Sequence, residues 1–180
     1  MRIEKNHVTA IVVDLQERLF PHIHQHDILA DRCAMFIKGL RILEIPIRVT
    51  QQYTKGLGPT IPSIVEALGE FDPLEKLNFS ACAVSEIEAD VLGGHGHQFI
   101  LVGIETHICV QQTALDILSQ GRGVIVVEDC VSSRRENDKR MAIERMRDAG
   151  AIITTAESVL FELLEKAGTD TFKEISALVK

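Results

Sequence analysis

A chain of 180 residues is the length of one ordinary domain, and with 46% apolar and 25% charged residues it can bury a full core. The net charge of −7, with no basic cluster, excludes the usual signature of a nucleic-acid binder. No apolar run approaches membrane length, nothing reads as a signal peptide, and four cysteines without C-x-x-C spacing predict free thiols in a cytoplasmic protein.

In chain order, "VTAIVV" (8–13) is a β-branched run suited to a buried strand. Residues 27–44 carry Ile28, Leu29, Met35, Phe36, Leu40 and Leu43 at helical spacing. "IPIRVT" (45–50) predicts a second strand, its Pro46 near the start where a missing N–H is tolerated. "QQYTKGLGPTIPS" reads as a loop, 64–69 as a short helix, and "KLNFS" (76–80) as a short strand. Residues 84–93 predict a helix, 97–103 a strand, and 107–120 a helix ending before Gly121. Then come a strand over 124–129, a helix over 137–149 and a strand over 151–155. Two helices close the chain, near 157–166 and 170–178.

Short buried strands alternating with helices predict an α/β fold: one domain over 1–180, with an open, doubly wound parallel sheet of about six strands. Ligands of such sheets bind beyond the carboxyl ends of the strands. The polar residues expected there are Asp14, Gln16 and Glu17 after the first strand, and Gln51, Gln52 and Tyr53 after the second. Lys76 lies at the short strand, and Glu105, Thr106, His107 and Cys109 follow "ILVGI".

An acid, a base and a thiol at one sheet edge suit covalent catalysis. Thiols attack carbonyl carbon as thiolates, and a helix N-terminus, a cation or a general base favours that form. Asp14 is placed to take the thiol proton, Lys76 to hold Asp14, and backbone N–H groups to bind an oxyanion. Packing for Cys109, turn-capping for Asp14 and a solvated charge for Lys76 are the competing readings.

Together, "AIVVDLQ", "EKLNFSA" and "LVGIETHICVQQTALD" resemble the isochorismatase-like cysteine hydrolases, from Val8 to about Lys173. The resemblance implies the doubly wound fold and a catalytic set of Asp14 as acid/base, Lys76 as the supporting lysine and Cys109 as nucleophile. It also implies a non-proline cis peptide between Ile104 and Glu105. That turn would aim the N–H groups of Glu105 and Cys109 at the oxyanion, with Thr106 fixing it. Metal-dependent nicotinamidases of the family carry D-x-H after the second strand. Here "VTQQYTKGLGPT" has neither Asp nor His, so no metal and no cofactor are expected. "QQYTKGLGPT", "VEDCVSSR" and "FKEIS" are similar to the isochorismatase domain-containing proteins.

The resemblance implies hydrolysis of a small-molecule amide or related C–N bond through a thioester, in a homo-oligomer, with no nucleic-acid or membrane partner. The alternatives are an ether hydrolase using Asp14 as general acid, and a non-catalytic binding or redox-responsive protein. Gln16, Phe20, Gln51, Tyr53 and Thr106 are the expected substrate-pocket residues, with a core role competing for Phe20. The alternating His22, His24 and His26 read as a loop, as do His95 and His97 before their strand.

Overall fold

The computed structural model describes residues 2–93 and 98–180. The turn expected over His95 and His97 lies outside the described residues. Six strands form one all-parallel sheet: β1 (Val8–Val13), β2 (Ile47–Gln52), β3 (Leu74–Lys76), β4 (Gln98–Ile104), β5 (Gly123–Ser132) and β6 (Ile152–Thr154). Their spatial order is β3-β2-β1-β4-β5-β6. The direction of winding reverses between β1 and β4, the place where sheets of this kind bind their ligands beyond the strand ends.

Both faces of the sheet are covered. β1 is buried along its whole length. Its Ala10 and Val12 join one apolar cluster while Ile11 and Val13 join the other. That alternation is the period-2 side-chain geometry of a strand, and burial on both faces is why "VTAIVV" is apolar throughout. Four helices cover the first face: α1 (His26–Ile42), α3 (Pro62–Leu68), α7 (Ala156–Leu164) and α8 (Asp170–Leu178). Three cover the second: α4 (Ser85–Leu92), α5 (Gln111–Ser119) and α6 (Glu136–Asp148). A single turn, α2 (Thr54–Leu57), lies in the stretch expected to be loop. No described helix is long and apolar enough to cross a membrane.

The sheet departs from the expected boundaries in ways that matter for the site. β2 runs two residues further along the chain than 45–50. β3 ends at Lys76 instead of beginning there, which leaves Leu77 and Phe79 exposed. The helix expected from 107 begins as a π turn, Thr106–Val110, before α5. β5 outruns β6, whose pairing stops at Val127 with Thr154. Gly103 has φ +113°, and a Cβ built on it would meet the Val13 carbonyl oxygen at 2.1 Å. Only glycine lets β4 pass β1 this closely.

Candidate active site

Asp14 follows β1 directly, with φ 51°, a left-handed conformation that Asp tolerates better than most residues. Its carboxylate is fully buried and doubly held. Oδ1 accepts from Thr50 Oγ1 at 2.7 Å, and Oδ2 accepts from Lys76 Nζ at 2.7 Å. Lys76 comes from β3, two strands away, so its ammonium must cross a gap of roughly 10 Å between strand axes. A long unbranched side chain does so beneath β2. The ammonium also donates to Gln52 Oε1 at 2.7 Å and to the carbonyls of Asn78 and Phe79 at 3.2 and 3.0 Å. Both side chains of the ion pair are 1% exposed. Removing one partner of such a pair strands a buried charge, at a cost of about 3–5 kcal/mol.

Cys109 lies in the π turn that leaves β4, on the other side of the switch point. Cys109 is nearly buried, and the charges of Asp14 and Lys76 both act on its thiol. Of the groups expected to favour the thiolate, Lys76 lowers the thiol but is outweighed. Burial, aided by the Asp14 charge, pushes the thiol up to about 12, with Lys76 opposing. The resting site holds a thiol beside an engaged carboxylate. The Cys109 carbonyl accepts from Thr113 Oγ1 at 2.7 Å, and that hydroxyl accepts from Ala81 N–H at 2.9 Å. Thr113 thereby ties the cysteine turn to the chain that follows Lys76.

The Ile104–Glu105 peptide bond is cis. The Glu105 carboxylate is buried and accepts from both the backbone N–H and Nε of Arg134, each at 3.1 Å. His107 Nδ1 shares a hydrogen bond of 2.9 Å with Ser133 Oγ. The hydroxyl of Thr106 is buried with no hydrogen-bond partner among the described residues.

Three of the expected pocket residues are engaged in the scaffold. Gln16 donates to the carbonyls of Gln52 and Gly58 at 3.0 and 2.7 Å and accepts from Gln52 N–H at 2.7 Å. Gln51 is spent on Thr60 and Thr54. Phe20 belongs to the core and meets His26 edge-on at 5.9 Å. Tyr53 stands half exposed with its ring over Gly56. The residues missed from the sequence are Thr50 and Thr113. Thr50 shares one face of β2 with Gln52, which was expected at this strand end, and Gln51 takes the other.

The histidines 22, 24 and 26 form no ligand set. His24 N–H donates to the Ser133 carbonyl, and His26 begins α1. No group of three His, Cys, Asp or Glu among the described residues could hold a metal.

The doubly wound parallel sheet thus brings a carboxylate, an ammonium and a thiol to its switch point. The isochorismatase domain profile matches residues 9–158, and the chain belongs to that family of hydrolases. It is 40% identical over 168 residues to isochorismatase domain-containing protein 2A of Mus musculus, covering 93% of this chain and 80% of that one. The structure of MAR1 ribonuclease from Caenorhabditis elegans superposes with a TM-score of 0.93 at 39% identity, over 99% of this chain and 92% of that one. Escherichia coli YcaC, described as an octameric hydrolase of unknown specificity, shares the fold with a TM-score of 0.90 at 22% identity, over 99% and 90% of the two chains.

Proposed function

We propose that the protein is a cysteine hydrolase acting on a small-molecule amide or related C–N bond. The observation that carries this reading is the Asp14 carboxylate, fixed between Thr50 and Lys76 at the end of β1, next to the strand whose closing turn carries Cys109. Asp14 takes the proton from Cys109 Sγ as the sulfur attacks the carbonyl carbon. The N–H groups of Glu105 and Cys109 are the proposed donors to the tetrahedral oxyanion. Collapse of that intermediate breaks the C–N bond, and protonated Asp14 delivers its proton to the leaving amine. Water then attacks the thioester and gives a proton to Asp14. The carboxylic acid departs, and the proton returns to the thiolate. Lys76 stays charged throughout and keeps Asp14 in place.

A raised thiol suits this scheme, because the proton moves only when attack makes the transfer worthwhile. Cys109→Ala should abolish turnover of a panel of small amides without altering the thermal unfolding midpoint. Unchanged turnover would end the proposal. A thioester adduct trapped on Cys109 distinguishes it from ether hydrolysis with Asp14 as general acid. The ribonuclease description of the Caenorhabditis elegans relative favours a second reading, cleavage of RNA. A net charge of −7 and a thiol only 7% exposed weigh against it. Cleavage of a labelled RNA at physiological ionic strength that is lost in Cys109→Ala would reinstate it. The octameric description of YcaC supports assembly of this chain into a homo-oligomer, which light scattering after gel filtration tests.

A further inference from the structure

A second cleft, of ≈ 530 Å³, opens away from the catalytic residues between α1 and α6, with the far end of β5 as its floor. It exists because β6 is short. β5 continues past Val127 to Ser132 with no strand on its outer side, and its register against β4 shifts between Leu101 and Gly103. The volume falls in the range of small-molecule sites, roughly 300–1,000 Å³. Ile28, Leu29, Val131 and Ile143 give it an apolar lining. Ile28 is 58% exposed there, which is costly for an isoleucine that covers nothing.

The charges in this cleft are unevenly matched. Each lining carboxylate has a partner: Glu128 with Lys139 at 2.7 Å, Asp129 with the Ala156 N–H at 2.8 Å, and Glu136 with His24 at 4.0 Å. Arg140 is held by Glu144 and Asn137. The guanidinium groups of Arg32 on α1 and Arg147 on α6 have no hydrogen-bond or ion-pair partner among the described residues. Two unpaired guanidinium groups beside an apolar wall match an organic anion, since the guanidinium fork binds carboxylate or phosphate oxygens in pairs.

We propose that this cleft is a second ligand site, independent of the hydrolase reading, for a small organic anion. Arg32 and Arg147 hold its carboxylate or phosphate, and its apolar part lies on Ile28, Leu29 and Ile143. The site touches the catalytic turn through β5. Ser132 Oγ donates to the His24 carbonyl at 2.9 Å, and the next residue, Ser133, holds His107.

The test is calorimetric titration with phenyl phosphate, benzoate, inorganic phosphate and the neutral control benzyl alcohol. It uses the full chain, Cys109→Ala, and the double variant Arg32→Gln/Arg147→Gln, whose positions are exposed. Phenyl phosphate or benzoate should bind saturably below about 1 mM. The double variant should weaken binding by at least about tenfold, and Cys109→Ala should leave it unchanged. Whichever of the two binds more tightly identifies the head group. An absence of saturation by either anion, or an affinity unmoved in the double variant, overturns the site. Loss of binding in Cys109→Ala also overturns it, by locating the anion at the catalytic centre. Inorganic phosphate or benzyl alcohol binding as tightly as phenyl phosphate would remove one half of the recognition.

Discussion

Replacing Asp14 with Asn separates catalysis from thiol reactivity, and the two should move in opposite directions. With the Cys109 thiol pushed up to about 12, only ~1 molecule in 10⁵ is a thiolate at pH 7, against ~3% for a free thiol. The more basic thiolate is the better nucleophile, and a Brønsted slope of ~0.45 returns a factor of ~40. Wild-type Cys109 should therefore react with iodoacetamide ~80-fold more slowly than free cysteine, before any steric shielding. The Asp14 charge raises the thiol, while Lys76 lowers it. Asp14→Asn removes the first influence and leaves the second, with Cys109 as the nearest group able to become the new counter-ion.

Losing an adjacent like charge lowers a thiol's pKa by ~1–3. After the same nucleophilicity correction, alkylation should accelerate ~4- to 45-fold. Steric shielding acts on both proteins, so the ratio decides. Time courses by peptide mass spectrometry between pH 6 and 10 give that ratio for Cys109 alone. Turnover should vanish in the same variant. Slower alkylation in Asp14→Asn, or a wild-type rate equal to that of free cysteine, would refute the reasoning.

Thr50→Val keeps the shape of the side chain and removes the donor to Asp14 Oδ1. It should lower stability by about 1.5–3 kcal/mol in urea titrations, as expected for a buried hydrogen bond to a charged group. Gly103→Ala drives a Cβ into the Val13 carbonyl at φ +113°. It should cost more than ~3 kcal/mol or prevent soluble expression, and a urea midpoint near wild type would contradict that close approach. Stability should also fall in alkali. Cys109 and Cys130 are both raised above the ordinary 9.0 by burial, so folding favours their protonated forms. That contribution is whole below pH 9 and is lost as the pH rises through the folded-state value, by up to ~1.4 kcal/mol per pH unit for each thiol. Urea midpoints should decline above pH 9, and a decline just as steep in Cys109→Ala/Cys130→Ala would contradict the assignment.

The fold was legible because burial on both faces writes itself into the strands. "VTAIVV" admits a single small hydroxyl, Thr9, and "ILVGI" no polar side chain, and the helices between them keep a clear apolar stripe. Sheet order was not legible, since nothing local in β3 states that it lies outside β2. Asp14, Lys76 and Cys109 were singled out by position and family resemblance together, yet what holds Asp14 and Lys76 was not legible. Thr50 and Gln52 look like any strand-end polar residues until the register of β2 is known. Thr113 looks like an ordinary helix residue until Ala81 arrives beside it. The raised thiol of Cys109 was not legible, because local position suggests a helix end, whereas burial is a property of the whole fold.

Gln16 ties two parts of the molecule that sequence separates by about forty positions. Its amide takes the place of a strand pair, clasping Gln52 on both sides and reaching Gly58. The segment carrying Tyr53 is thus latched to the strand end that carries Asp14. It cannot swing outward without disturbing the strand end that carries Asp14. The chain after Lys76 is held in the same way, through the Asn78 and Phe79 carbonyls on the ammonium that grips Asp14, so the segments around this carboxylate move as one unit.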